Sequence, residues 1–245
     1  MLTSCDHIKS IDVLIPVYKY TSQLQRLIIE IEQSVSNTFQ VHLIIVDDSD
    51  EDSCWSLINK LALPFKQYTL VKLTRNYGQH NAILCGIQYA KYSVIVTLDD
   101  DGQHNPIDIL NMVEQLKVGY DVVYGYSVQS HQVYWKQIST VLAKRLLVHL
   151  TGVKNVAYMS AFRAFKTELL VSFRNNMGLD VNIDAFLLWN TRRIGYVVVN
   201  HRPRREGASG YTIGRLINHF GNLYIGSTTV PLRIVTILGL CSVII

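Results

Sequence analysis

Apolar runs of strand length recur along the first half of the chain, at Ile11–Val17, Val41–Val46, Tyr68–Leu73, Tyr92–Leu98 and Asp121–Tyr126. Between them the apolar positions change period. Leu24, Leu27, Ile28, Ile31 and Val35 in the first interval, and Ala82, Ile83, Ile87 and Ala90 in the third, follow the spacing of a helix buried along one side. Strands alternating with helices predict an α/β fold, with a mostly parallel sheet covered by helices on both faces. In such sheets ligands bind beyond the carboxyl ends of the strands. The chemically unusual residues collect there: Pro16 and Tyr18, Asp47 and Asp48, Arg75 and Asn76, then Asp99 to Asp101.

Beyond residue 128 the pattern shifts. His131–Leu150 reads as one amphipathic helix, with Tyr134, Ile138, Val141, Leu142, Leu146 and Leu150 on one side and Lys136, Thr140, Lys144 and Arg145 largely on the other. Such a helix suits a membrane surface or a seat on its own domain. A short strand near Ala161–Phe165, a helix near Asn182–Arg193, a strand at Tyr196–Asn200 and an Arg-rich loop follow, and Thr212–Tyr224 reads as a further helix. Ile234–Ile245 is almost wholly apolar, but its 12 residues fall short of the roughly 20 that a spanning helix needs. It reads as the start of a membrane segment, an interfacial stretch or part of the core.

Composition narrows the class. In 245 residues, 49% are hydrophobic and 17% charged, which excludes a disordered chain or a coiled coil. Cys5, Cys54, Cys85 and Cys241 are widely spaced with no Cys-x-x-Cys pair, so they read as reduced, buried thiols. The net charge of +4 conceals a segregation: residues 1–128 carry nine Lys/Arg against fifteen Asp/Glu, and residues 129–245 carry fourteen against four. An acidic half suits a carboxylate site holding a cation, and a basic half a surface that attracts phosphates or anionic lipid. Met1–Asp12 lacks the apolar core of a cleavable signal, so the first domain is expected in the cytosol.

The strongest local signal is Asp99-Asp100-Asp101-Gly102-Gln103 directly after a strand. Three adjacent carboxylates repel one another. Oxygen ligands at a rigid strand end suit Mg²⁺ or Mn²⁺, which in turn can hold a diphosphate. The bland alternative is a cap for a helix beginning at Asn105-Pro106. Asp47-Asp48-Ser49-Asp50 offers acceptors for a ribose or base, and Arg75-Asn76-Tyr77-Gly78 offers a phosphate-binding cation with a glycine for close backbone approach. Neither a Gly-x-Gly-x-x-Gly after the first strand nor a P-loop motif is present, which disfavours dinucleotide oxidoreductases and P-loop hydrolases.

Together these residues resemble the family 2 glycosyltransferases of the GT-A fold. Pro16-Val17-Tyr18, Val46-Asp47-Asp48, Arg75-Asn76-Tyr77-Gly78 and Asp99-x-Asp101-x-Gln103-x-x-Pro106 stand in the family's order. Ser160-Ala161-Phe162-Arg163, Asp184 to Trp189, and His201-x-Pro203-Arg204-x-x-Gly207-x-Ser209-x-Tyr211 are similar to the branch that glycosylates polyprenyl phosphates. That branch includes dolichol-phosphate mannose synthases and undecaprenyl-phosphate sugar transferases, and the wording is nearest to the aminoarabinose transferase type. The chain departs from the family pattern at Lys19-Tyr20, Ser49-Asp50, Ala161 and Gly210.

The resemblance implies a Rossmann-like GT-A core over residues 1–128 that binds the nucleotide-sugar. It implies an acceptor-side part over 129–211, then juxtamembrane helix and the start of an apolar membrane segment over 212–245. Asp99, Asp101 and Gln103 would bind Mg²⁺ or Mn²⁺. Pro16, Tyr18, Asp47, Asp48, Arg75, Asn76, Gly78 and Asp100 would hold the donor. Arg163, Arg204, Arg205, Ser209 and Tyr211 would meet the acceptor phosphate, with Asp101, Arg163 and Asp184 at the reaction centre. The implied activity is inverting transfer from a nucleotide-sugar, a UDP-sugar by family habit, to undecaprenyl phosphate on the cytosolic face of a bacterial inner membrane. The partners are donor, lipid phosphate and membrane surface, without nucleic acid, and the reading is open to a homo-oligomer. A family 2 transferase acting on a sugar hydroxyl, and a non-catalytic nucleotide- or membrane-binding partner, remain alternatives.

Overall fold

The longest apolar runs become the middle of a sheet. In β1 (Ser10–Val17) and β2 (Gln40–Asp47) every residue after the first is buried, as befits strands covered on both faces. A computed structural model describes residues 8–127, 158–170 and 183–202. It adds β3 (Gln67–Lys72), β4 (Val94–Thr97), β5 (Val122–Tyr126), β6 (Arg163–Lys166) and β7 (Ile194–Val198). The seven strands lie in the order β3-β2-β1-β4-β6-β5-β7. All neighbours run parallel except at β6, which is antiparallel to both β4 and β5. The sheet is therefore mixed: the alternation of strands and helices foretold its parallel part, but β6 enters from the opposite end.

The helices are α1 (Ser22–Val35), α2 (Asp52–Ile58), α3 (Gln79–Ile87), α4 (Asp108–Val118) and α5 (Ile183–Asn190). In α1 the buried set includes Leu24, Leu27, Ile28, Ile31 and Val35, the stripe that its periodicity foretells. Truncating one of them, such as Leu27 to Ala, would cost about 2–5 kcal/mol. The alternation along β1 sorts the two layers. Val13, Ile15 and Val17 pack with α1, α2 and α4, whereas Leu14 faces α3 and α5. On that second face Gly86 lets α3 approach closely, since a Cβ there would overlap the Leu14 side chain. Helix α4 begins at Asp108, two residues beyond the expected Asn105-Pro106 start.

Polar clusters pin the amino ends of the strands, away from the ligand edge. His42 Nδ1 lies 2.6 Å from Asp12 Oδ1 and its Nε2 lies 2.9 Å from Thr69 Oγ1, joining three adjacent strands. Asp121 receives Lys166 Nζ at 2.9 Å, Thr191 Oγ1 at 2.7 Å and Arg193 Nε at 2.9 Å. Of the cysteines, Cys54 is buried and Cys85 half-buried, so the second is less enclosed than expected. Cys5 and Cys241, the helices at 131–150 and 212–224, and the apolar stretch at 234–245 lie outside the described residues. Among the described residues no helix is long and apolar enough to cross a membrane.

Candidate active site

The sheet opens between β1 and β4. Helix α1, which follows β1, and helix α3, which leads into β4, cover opposite faces, so this is the topological switch point at which α/β sheets bind ligands. Leu98 N donates to Leu14 O at 3.2 Å, and Pro16 is the next β1 residue on that side. Proline has no N–H to extend the ladder, so the chain after Leu98 is released from β1. Pro16 itself is buried inside β1, opposite Val46. The exposed residue at this strand end is Tyr18.

At the ends of β2 and β3 two loops are laced together. Asp47 is fully buried and its Oδ1 accepts from Ser49 N at 3.0 Å, with the Cys54 thiol beside the carboxylate. Asp48 Oδ1 accepts from Tyr77 N at 2.7 Å, and Asn76 Nδ2 donates to Asp48 O at 2.8 Å. Asp50 Oδ1 accepts from Asn76 N at 2.7 Å. Burial pushes the Asp48 carboxyl above its usual range, partly countered by the amides of Tyr77 and Gly78. Both β2 carboxylates thus shape loops. Exposed Arg75, its guanidinium 4.7 Å above the Tyr77 ring, and the positive φ of Gly78 at the start of α3 complete this edge.

The acidic loop follows β4. Gln79 Nε2, from the start of α3, donates to Asp99 Oδ1 at 2.5 Å. Asp101 Oδ1 accepts from Gln103 N at 3.0 Å across Gly102, whose φ of +67° suits the tight turn. Asp99, Asp100, Asp101 and Gln103 are all half-buried, so the loop's carboxylates border solvent. Among the described residues no three His, Cys, Asp or Glu side chains converge on one cation position. A pair of carboxylates fits a hard cation that arrives with a diphosphate and keeps other oxygen ligands, as Mg²⁺ commonly does.

A second polar group lies one strand over. Thr97, Arg163, Tyr124 and Tyr196 stand in register across β4, β6, β5 and β7. Arg163 pairs with Asp184 of α5, its Nε donates to Thr97 Oγ1 at 3.1 Å, and Tyr124 Oη donates to Asp184 at 3.0 Å. Burial opposes the Arg163 charge, but Asp184 first, then Tyr124 and Asp99, more than offset it and hold its pKa above the ordinary value. Burial foremost, then Asp184, keeps the Tyr124 hydroxyl protonated. Arg163 is 1% exposed, so its side chain forms part of the site floor.

The acidic loop is also held from the far side. Arg202 N donates to Gln103 O at 2.8 Å, and its guanidinium reaches Glu30 of α1 at 2.6 Å. His104 packs between Phe162, tilted by 35° with ring centroids 4.8 Å apart, and His201, edge-on at 4.9 Å. The entry to the Arg-rich segment is thereby fixed against the acidic loop. Arg204, Arg205, Ser209 and Tyr211 lie outside the described residues. Gln79, Thr97, Tyr124 and His104 were not singled out by the motifs. The available signal for Thr97 and Tyr124 was a hydroxyl inside an otherwise apolar strand, which needs a partner once buried.

Residues 12–172 match the family model for glycosyl transferase family 2. The undecaprenyl-phosphate 4-deoxy-4-formamido-L-arabinose transferase of Pectobacterium carotovorum is 31% identical over 239 residues, covering 96% of this chain and 72% of that protein. The protein of the same name from Klebsiella pneumoniae is 30% identical over 234 residues, with 95% and 72% covered. Glucosyl-3-phosphoglycerate synthase from Mycobacterium tuberculosis, solved with Mn²⁺, UDP and glucosyl-3-phosphoglycerate, superposes with a TM-score of 0.63 at 19% identity, over 90% of this chain and 79% of that one. This likeness extends the GT-A fold to the mixed sheet described above. With a family model spanning most of its length and relatives aligned along nearly all of it, the chain belongs to glycosyl transferase family 2.

Proposed function

We propose that the protein transfers a sugar from a nucleotide-sugar, a UDP-sugar, to undecaprenyl phosphate at the cytosolic face of a bacterial membrane, with inversion at the anomeric carbon. The observation that carries this reading is the gathering of an acidic loop, an opened β1–β4 seam and the start of an Arg-rich segment at one edge of the sheet. The acceptor follows from the names of the relatives aligned along nearly all of the chain. The uridine nucleotide follows the synthase solved with UDP.

In this reading a lipid phosphate oxygen attacks the anomeric carbon, the bond from that carbon to the diphosphate oxygen breaks, and nucleoside diphosphate leaves. A phosphate monoester is already anionic near neutral pH, so the protein's task is to bring two anions together and stabilise the departing charge. Asp99 and Asp101, with Gln103 beside them, would hold Mg²⁺ or Mn²⁺. That cation supplies charge neutralisation to the leaving diphosphate. Tyr18, Arg75, Asn76 and Gly78 line the donor side, with Asp47, Asp48 and Asp50 setting their loops and Asp100 beside the diphosphate. Arg204, Arg205, Ser209 and Tyr211 would meet the acceptor phosphate. Arg163 and Asp184 would keep the floor between the two substrates polar and fixed, and would approach the acceptor phosphate only if their pair opened.

The test is release of nucleoside diphosphate from a panel of UDP- and GDP-sugars with Mg²⁺ or Mn²⁺, with and without undecaprenyl phosphate in detergent. Release that requires both metal and lipid phosphate is the expected result. Release that responds instead to a sugar hydroxyl acceptor overturns the acceptor, and nucleotide binding without turnover on any donor overturns the activity.

A further inference from the structure

We infer that four tyrosines at the β5–β7 side of the cleft form the binding surface for the lipid tail of the acceptor, next to its phosphate. This inference rests on the polyprenyl-phosphate reading above. Tyr124 and Tyr196 stand opposite each other in β5 and β7, with ring centroids 6.2 Å apart and planes 23° from parallel. Tyr196 meets Tyr158 at 5.6 Å, and Tyr158 meets Tyr126 at 4.5 Å. The rings make one continuous ladder. Its inner end is Tyr124, fully buried with its hydroxyl on Asp184; from there it runs through Tyr196 to Tyr158, its most exposed ring at 43%, and on to half-buried Tyr126. Val198 lies opposite Tyr126 in the register, on the same face of the sheet, and is 56% exposed.

A ladder serving only the core would end under cover. This one surfaces at the carboxyl edge, where the active site lies, and it continues the register row that begins at Thr97 and Arg163. The donor-side groups, Asp48, Arg75 and Asn76, lie at the ends of β2 and β3, across β1, β4 and β6 from it. From β4 to β7 the row spans three strand spacings, about 14 Å. Of the two substrates in the proposed reaction, only the lipid phosphate continues from its phosphate directly into hydrocarbon. An aromatic wall starting beside a polar floor and running outward gives that hydrocarbon an apolar path from the reacting oxygen to the protein surface.

The experiment compares wild type, Tyr158→Ala and Tyr158→Phe with two acceptors, undecaprenyl phosphate and farnesyl phosphate, at saturating donor. Tyr158 is partly exposed, so both variants should fold, and a melting temperature near wild type verifies it. Tyr158→Ala should raise KM for both lipids by about tenfold, the effect expected from one well-covered aromatic face. The donor KM should stay within about twofold. Tyr158→Phe should behave as wild type, since the contact is with the ring and not the hydroxyl. Unchanged lipid KM in Tyr158→Ala, a raised donor KM, or a Phe variant as impaired as the Ala variant would each overturn the inference, the last because it signals a hydrogen bond to a sugar. A wild-type protein that uses a sugar hydroxyl and neither lipid phosphate overturns the acceptor reading itself, before any variant is compared.

Discussion

Arg163 of β6 and Asp184 of α5 form an ion pair in which the arginine side chain is 2% exposed and the aspartate 19%. Such a pair does little for stability against an apolar replacement, but removing one partner strands the other charge in a poor solvent for it. Asp184→Ala should therefore lower the unfolding free energy by about 3 kcal/mol. Asp184→Asn should lose less, because an amide oxygen still accepts from Tyr124 and Arg163. Urea denaturation of the two variants measures the difference, and equal losses would mean that the charge on Asp184, and not its hydrogen bonding, carries the pair.

Asp101 differs in kind, since its side chain turns only a loop and borders solvent. Asp101→Asn preserves the turn, because the amide oxygen can still accept from Gln103 N. The variant should nevertheless lose about 100-fold or more in turnover, the scale of removing one group that stabilises transition-state charge. Its melting temperature should stay near wild type. Chelation of divalent cations should abolish wild-type turnover, and Mg²⁺ or Mn²⁺ should restore it. A variant that keeps both turnover and metal dependence would remove Asp101 from the site.

Parts of this arrangement were legible in the sequence for a physical reason. Strands such as Val41–Val46 and the Leu24–Val35 stripe are local patterns, and burial enforces them wherever the chain leads. The carboxylates after β4 announced themselves because like charges seldom crowd without a purpose. What the pattern could not give was direction. Nothing local to Arg163–Lys166 says that the strand enters antiparallel between β4 and β5, and that placement alone turns Arg163 toward Asp184. The same limit applies to Gln79, whose link to Asp99 joins the start of α3 to the loop after β4.

Asn76 ties the loop after β3 to the loop after β2 through its side chain on Asp48 O at 2.8 Å. Asn76→Ala keeps the backbone bond to Asp50 but loses this one, at a cost of about 1 kcal/mol. If that cost falls on the donor-binding form, nucleotide affinity should weaken by about fivefold, with turnover at saturating donor nearly unchanged. Titration of UDP followed by calorimetry tests this. A drop in turnover at unchanged affinity would place Asn76 at the reaction centre instead of the donor edge.

His104 should give the protein a distinctive acid sensitivity. Its ring is buried between Phe162 and His201, and desolvation first, then His201, lowers its pKa to about 3. In the unfolded chain the same imidazole titrates near the ordinary value of about 6.5. Between those two values the unfolded state binds a proton that the folded state refuses, so stability falls as pH decreases across that window. Above it His104 contributes no pH dependence. The slope from this one group is about 1.4 kcal/mol per pH unit in the middle of the window. His104→Phe keeps an aromatic ring against Phe162 but cannot titrate, so it should lose that part of the slope. Unfolding free energies of both proteins at several pH values between about 6 and 4.5 should diverge, the variant gaining on wild type as pH falls. Parallel curves would mean that His104 accepts its proton in the folded state, and that the packing against Phe162 and His201 opens to let it do so.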